Sequence, residues 1–135
     1  MDLIDHIRSE SARLAALCTA CGGCVRACPM VPYAPGVADE ASEVVAVGMR
    51  DVLLDGPGTT AALAWIGACT RSGVCTPACP ERLDVAFMMR LAVWRAKGAL
   101  GEPARIAVVE DTQYMSRLKA FARLTLTEEE CAEWL

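Results

Sequence analysis

The chain has 135 residues, with 13 Lys or Arg against 17 Asp or Glu, and a formal net charge of −4. This acidic balance gives no electrostatic support for nucleic-acid binding, which needs a basic surface. The longest stretch without a charge, 56–70, has fifteen residues and is interrupted by Gly and Pro, so it is too short to cross a bilayer. We therefore expect the chain to form one domain without a membrane span.

The N-terminal stretch "MDLIDHIRSE" lacks the basic flank and apolar core of a signal peptide. We therefore expect a cytoplasmic protein, and in that reducing compartment the eight cysteines are expected to bind metal rather than to form disulfides. Hydrophobic residues make up 54% of the chain. Because so small a domain has limited space for a core, we expect part of this apolar surface to contact another subunit.

The first predicted helix spans 2–17, where apolar residues recur at helical spacing. These residues are Leu3, Ile7, Leu14 and Leu17. The stretch 40–54 contains several valines, which favour strands, but it is too long without a turn signal, so we predict a helix there as well. A third, short helix is predicted over 60–68, with Thr59 as its N-cap.

The next helix is predicted to begin after Asp84, a good N-cap, and to run to Lys97, where Gly98 ends it. Apolar residues lie nearly all round it, so we expect it to be buried or to lie at an interface.

Two more helices are predicted at the C-terminal end, over 111–124 and 128–135. Thr127 and Glu130 have the spacing of a capping box at the start of the second. No pair of strands is indicated, so the predicted fold class is all-α, with cysteine-rich loops between helices.

Two stretches of the chain carry similar cysteine motifs. The first run is "CTACGGCVRACP" at 18–29, and the second run is "CTRSGVCTPACP" at 69–80. The cysteines fall at Cys18, Cys21, Cys24 and Cys28 in the first run and at Cys69, Cys75 and Cys79 in the second. The spacing C-x2-C-x2-C-x3-C-P is typical of the run that binds an iron–sulfur cubane in bacterial two-cluster ferredoxins. Structural zinc favours two C-x2-C pairs around one tetrahedral ion, which this spacing fits poorly.

The spacing also predicts which thiols act together. Three thiolates two residues apart reach three irons of one cluster, while the fourth points to the other cluster, because the proline after it disfavours helix. The predicted ligands are Cys18, Cys21, Cys24 and Cys79 for the first cluster and Cys28, Cys69 and Cys75 for the second. Gly22, Gly23 and Gly73 lie between ligands, where they allow backbone N–H groups to approach sulfur. Such clusters form part of the core, so the domain should lose order without them.

The second run carries Ser72 where the first carries Cys21. A serine hydroxyl is a poor iron ligand at neutral pH because its pKa lies far above that of a thiol. Three alternatives follow: a [3Fe-4S] cluster on three cysteines, which we favour; a [4Fe-4S] cluster whose fourth iron takes Ser72 or water; or a fourth thiolate from Cys131. Cys131 lies in a short terminal helix without a companion ligand, and an ordinary buried thiol explains it better.

These motifs, followed by "ERLDVAFMMRLAVWRAKG", resemble the α-helical ferredoxin domain of the small iron–sulfur subunit of heterodisulfide reductase over about residues 5–98. The resemblance implies a ferredoxin domain over 1–98 with two cluster-binding loops and a helical extension over 99–135 that docks a partner. It further implies an electron-transfer subunit beside a flavin-containing subunit and a catalytic subunit with Cys-Cys-Gly motifs. Versions in sulfur-oxidising complexes are similar. This chain has no adjacent cysteines, so disulfide chemistry would lie in the partner.

Ser72 departs from the two complete runs usual in that family. The second run, C-x5-C-x3-C-P, also resembles the last run of the iron–sulfur subunits of succinate dehydrogenase and fumarate reductase, which holds a [3Fe-4S] cluster. The plant-type [2Fe-2S] domain of those subunits is missing here, so they and the small subunit of glycerol-3-phosphate dehydrogenase are alternatives.

An enzyme site is a further alternative, in which an open iron acts as a Lewis acid on a substrate. The chain has one histidine to assist such chemistry, His6, which is expected at the surface. We therefore predict a relay of electrons rather than a catalyst. Support for the fold alone is a third possible role of the clusters.

Overall fold

The computed structural model describes residues 2–106 and 114–134, which form seven α-helices and no strands. The helices are α1 (Leu3–Leu17), α2 (Gly23–Ala27), α3 (Ser42–Leu53), α4 (Thr60–Gly67), α5 (Val85–Ala96), α6 (Tyr114–Thr125) and α7 (Glu128–Trp134). A 3-10 turn covers Val31–Tyr33 within the proline-rich loop. The predicted all-α class is confirmed. Of the predicted helices, residues 111–113 and 135 lie outside the described ranges.

Local capping explains where the helices begin. Asp2 caps α1, Thr59 caps α4 by accepting a hydrogen bond from the amide of Ala62 at 3.1 Å, and Asp84 caps α5. At α7 the Thr127 hydroxyl accepts from the Glu130 amide while the Glu130 carboxylate accepts from the Thr127 amide. The caps predicted from sequence are thus confirmed, because they depend only on near neighbours in the chain.

Helix α3 lies at the centre of the fold and packs against α1, α2, α4 and α5. It approaches α4 closely at Gly48, where a Cβ would lie 2.6 Å from the Cβ of Ala62. Val45 and Val52 are fully buried on this helix, so core packing outweighs the preference of β-branched residues for strands. The largest fully buried side chains of the core include Met49, Leu53, Trp65, Ile66, Met88 and Leu91.

The buried face of α1 differs from the predicted one. Ile7 and Leu14 are buried as expected, but Leu3 and Leu17 are 73% and 51% exposed. Ser11 and Ala15 take part in the buried face instead. Leu3 and Leu17 have the helical spacing predicted for them, but they are the first and last residues of α1 and stay exposed.

Helix α5 carries an unexpected buried charge. Arg95 is 4% exposed, and its guanidinium lies 3.1 Å from a carboxylate oxygen of Glu102 and 3.5 Å from one of Asp55. Arg105 continues this network by donating to the carbonyl oxygens of Gly56 and Arg95. The network ties residues 99–106 to the end of α5 and to the turn after α3.

None of the helices in the described parts of the chain combines the length and apolar character required of a membrane span.

Candidate iron–sulfur site

The seven cysteines of the two runs line two separate cavities. Site 1, a cavity of about 20 Å³, is lined by Cys18, Cys21, Cys24 and Cys79. Site 2, a cavity of about 150 Å³, is lined by Cys28, Cys69 and Cys75 together with Ser72. The last cysteine of each run, Cys28 or Cys79, therefore lies at the cavity of the other run.

The first run is held between α1, α2 and α3. Cys18 ends α1, and its carbonyl oxygen accepts a hydrogen bond of 3.0 Å from the Arg50 guanidinium. Arg26 donates to the carbonyl oxygen of Cys21 at 2.9 Å and pairs with Glu43. Because these arginines bind backbone carbonyls, they hold the loop in place and leave the cysteine thiols free to bind metal. No pattern in the sequence indicates this role.

The chain leaves α2 at Cys28. This residue has an extended backbone (φ −75°, ψ 122°), whereas Cys24 lies within the helix. Pro29 follows, and a proline disfavours helical conformation in the residue before it. The change of direction separates the two thiols, so that Cys24 lines site 1 and Cys28 lines site 2.

The second run repeats the backbone of the first. Gly22 and Gly73, each four residues after the first cysteine of its run, both have φ of 77°. Ala20 and Arg71, two residues earlier, are also left-handed, with φ of 54° and 61°. The last cysteines match as well: the Cys28 amide donates to the Val25 carbonyl at 3.1 Å and the Cys79 amide to the Thr76 carbonyl at 3.2 Å. A serine at position 72 is therefore compatible with the same loop conformation as a cysteine at position 21.

The two runs are in direct contact and are both anchored to the core. A Cβ on Gly23 would lie 3.0 Å from the carbonyl oxygen of Ala78, so glycine allows the loops to meet. The Thr76 hydroxyl accepts from the Ala86 amide at 3.0 Å, which joins the second run to the start of α5. Thr76 is a further structural residue of the site that the sequence analysis did not identify.

Burial and crowding of thiols dominate the electrostatics of both sites. Burial raises the pKa of Cys24 to about 11, the nearby Cys18 adds to this, and backbone N–H groups of Val25 and Cys24 offset part of it. Burial likewise raises the pKa of Cys75, with further contributions from Cys69 and Cys28. Thiols that hinder each other's ionisation are stabilised as thiolates when they bind iron, because metal binding displaces their protons.

The donor set fits iron–sulfur clusters rather than an isolated hard cation. Only thiols and the Ser72 hydroxyl occupy the motif positions, and thiolate is the ligand that such clusters prefer. The Ala20 amide lies 3.4 Å from the sulfur of Cys18, a contact of the kind that tunes cluster potentials. Within 2–106 and 114–134, no three Cys, His, Asp or Glu side chains converge on a single-ion position.

Two residues considered in the sequence analysis lie apart from these cavities. His6 is exposed on α1, as expected. Cys131 is half-buried on α7, and it does not belong to the lining of either described cavity.

Comparison with known families identifies a cluster-binding domain. The family model of a 4Fe-4S binding domain matches residues 15–31 and 66–87, the two segments that carry the cysteine runs. No curated protein and no solved structure matches the chain significantly. The match and the all-helical fold agree with the cysteine chemistry, and together they show an iron–sulfur, ferredoxin-like protein with a role in electron transfer.

Proposed function

We propose that the chain is the electron-relay subunit of a heterodisulfide reductase-like complex and that it holds two clusters. The observation that carries the proposal is the division of seven cysteines between two cavities, whose loops are in contact at Gly23 and Ala78. When bound, iron–sulfur clusters accept and release single electrons. Two such sites side by side would form a path through the chain, between a flavin-containing subunit and a catalytic subunit with Cys-Cys-Gly motifs.

The proposed ligands follow the lining of the cavities. Cys18, Cys21, Cys24 and Cys79 would hold a [4Fe-4S] cluster at site 1, and Cys28, Cys69 and Cys75 would hold the second cluster. The exchange of fourth ligands makes the two loops interdependent, because each cluster would join residues from both runs. The N–H···S contact at Cys18 and the amides near Cys24 and Cys75 would stabilise the thiolates.

We propose a [3Fe-4S] cluster at site 2. In the repeated loop Ser72 corresponds to Cys21, and it belongs to the lining of the site 2 cavity. A neutral hydroxyl does not replace a thiolate as an iron ligand at physiological pH. Three thiolates and one hydroxyl are therefore a donor set that favours three irons over four.

Electron paramagnetic resonance on anaerobically purified, oxidised protein tests this, with iron and sulfide counted on the same sample. We expect about seven irons per chain, from one cubane and one three-iron cluster, and a sharp [3Fe-4S] signal of one spin per chain. The Ser72→Cys variant should lose this signal and gain one iron. A silent spectrum with about eight irons would overturn the three-iron cluster. It would instead favour an open or serine-bound fourth iron, and protein without iron would overturn the relay itself.

A further inference from the structure

The two sites differ in the charges around them. Among the described residues, site 2 is lined by Arg71, Arg90 and Lys97 and by no carboxylate. Site 1 is lined by Glu81 and, within the same described part of the chain, by no cation. Two arginines lie near site 1 outside its lining: Arg26 is paired with Glu43, whereas Arg50 of α3 donates to the neutral Cys18 carbonyl and keeps its charge. Among the residues that line the two cavities, positive charge is thus confined to site 2.

The cations of site 2 belong to an exposed face with apolar residues. Arg90 on α5 and Lys97, the C-cap of that helix, are both exposed and lie two helical turns apart, which corresponds to about 10 Å along the helix axis. Trp94 lies between them on the same side of the helix and is 37% exposed. Val74, in the loop of the second run, is 43% exposed. Arginine and tryptophan are the residue types enriched in protein interfaces, so their exposure beside Val74 is consistent with a docking face.

We propose that this face, formed by Arg71, Val74, Arg90, Trp94 and Lys97, docks a one-electron carrier protein with an acidic surface. One electron is then exchanged between that carrier and site 2, so that the carrier is oxidised as the chain is reduced, or the reverse. The inference rests on the proposed relay function and adds to the two subunits named there a carrier that exchanges electrons at site 2. Charge complementarity favours an acidic partner, because three cations around one cavity would repel a basic one.

A simpler role for these cations is to offset the negative charge of thiolates and cluster. That role predicts a change in reduction potential when the cations are reversed, but no change in partner binding. If the face docks a partner, reversing the cations should abolish binding of the acidic partner. Electron exchange with that partner should then no longer slow as salt is added. The two roles therefore separate experimentally.

The test uses the cluster-loaded chain, the variant Arg90→Glu/Lys97→Glu and the control Arg8→Glu/Arg13→Glu. The control changes the net charge equally but lies on α1. Poly-L-glutamate serves as the acidic binding probe in calorimetry. The rate at which the reduced second site is oxidised is followed by rapid-freeze electron paramagnetic resonance, with ferricyanide as an anionic oxidant and hexaamminecobalt(III) as a cationic one.

We expect the native chain and the control to bind poly-L-glutamate at low salt and the site 2 variant to lose binding. Oxidation by ferricyanide should slow on the order of tenfold in the site 2 variant and should no longer be slowed by added salt, while oxidation by the cobalt complex should accelerate. Equal binding by all three proteins, or a shifted potential without altered rates, would overturn the docking face. So would a native dimer that the variant dissociates, since the occupant would then be a second copy.

The relay and the docking face fail in different ways. Suppose that the chain carries clusters and exchanges electrons, but that no variant changes the rate of oxidation by either oxidant. This result refutes only the docking face. A chain that binds poly-L-glutamate through Arg90 and Lys97 but incorporates no iron refutes the relay, and with it the electron exchange at site 2.

Discussion

The matched glycines of the two loops offer a test of how the cysteine runs are held. Gly22 and Gly73 have the same φ of 77°, so an alanine at either position incurs the same left-handed strain, about 1–2 kcal/mol. Their surroundings differ. A Cβ on Gly22 would lie 2.8 Å from backbone atoms of Ser42 and Glu43, whereas a Cβ on Gly73 meets no atom of the described residues within 4 Å.

The Gly22→Ala variant must therefore displace either the first run or the start of α3, since backbone atoms cannot rotate away as a side chain can. Overpacking of this kind costs about 1–3 kcal/mol in addition to the strain. Because 1 kcal/mol corresponds to about 4 °C in a domain of this size, Gly22→Ala should unfold roughly 4–12 °C below Gly73→Ala.

The assay is thermal unfolding of the anaerobic, iron-loaded proteins, followed by circular dichroism at one fixed scan rate. Iron is counted before and after purification, and Gly22→Ala should also lose iron from site 1 more readily. Equal midpoints for the two variants would refute the reasoning, because the strain would then account for the whole effect and the contact with α3 for none of it.

Three further results are expected. Arg95→Met should lower the free energy of unfolding by about 3 kcal/mol, because it leaves Glu102 without its partner in the buried pair. The double variant Arg95→Met/Glu102→Met should recover most of this loss. Additive losses in a double-mutant cycle would contradict the coupling of the two residues. Gly48→Ala should lower the thermal midpoint, although alanine favours helices by about 1 kcal/mol. Adding Ala62→Gly to this variant should partly restore the midpoint. An unchanged or raised midpoint in Gly48→Ala would disprove the close contact between α3 and α4. Anaerobic removal of iron should open 18–29 and 69–80 to proteolysis, because the proposed clusters join these runs; an unaltered digestion pattern would show that the loops fold without metal.

Much of the local structure was predictable because its causes lie within a few residues of the chain. Thr59, Asp84 and Thr127 cap helices through hydrogen bonds to amides three residues later. The proline after Cys28 is next to the residue whose extended backbone it favours. The helix over Ser42–Leu53 was also predictable, since its length outweighed its valine content.

What could not be predicted depends on residues far apart in the chain. From the sequence alone, Arg95 is expected to be an exposed charge near the end of a helix. In the structure, the segment after Gly98 folds back and buries Arg95 against Glu102. Leu3 and Leu17 have the spacing of a core face, yet the helices packed against α1 leave both of its ends exposed.

For this protein, the sequence by itself determined the cysteine spacing, the caps and the all-helical class, because each follows from short-range chemistry. Only the tertiary structure decided that Arg71 from a loop, Arg90 from α5 and Lys97 at the end of α5 line one cavity while Glu81 lines the other. The physical reason is that the charge around a site is a sum over elements that packing brings together, and packing is decided by long-range contacts among α3, α4 and α5.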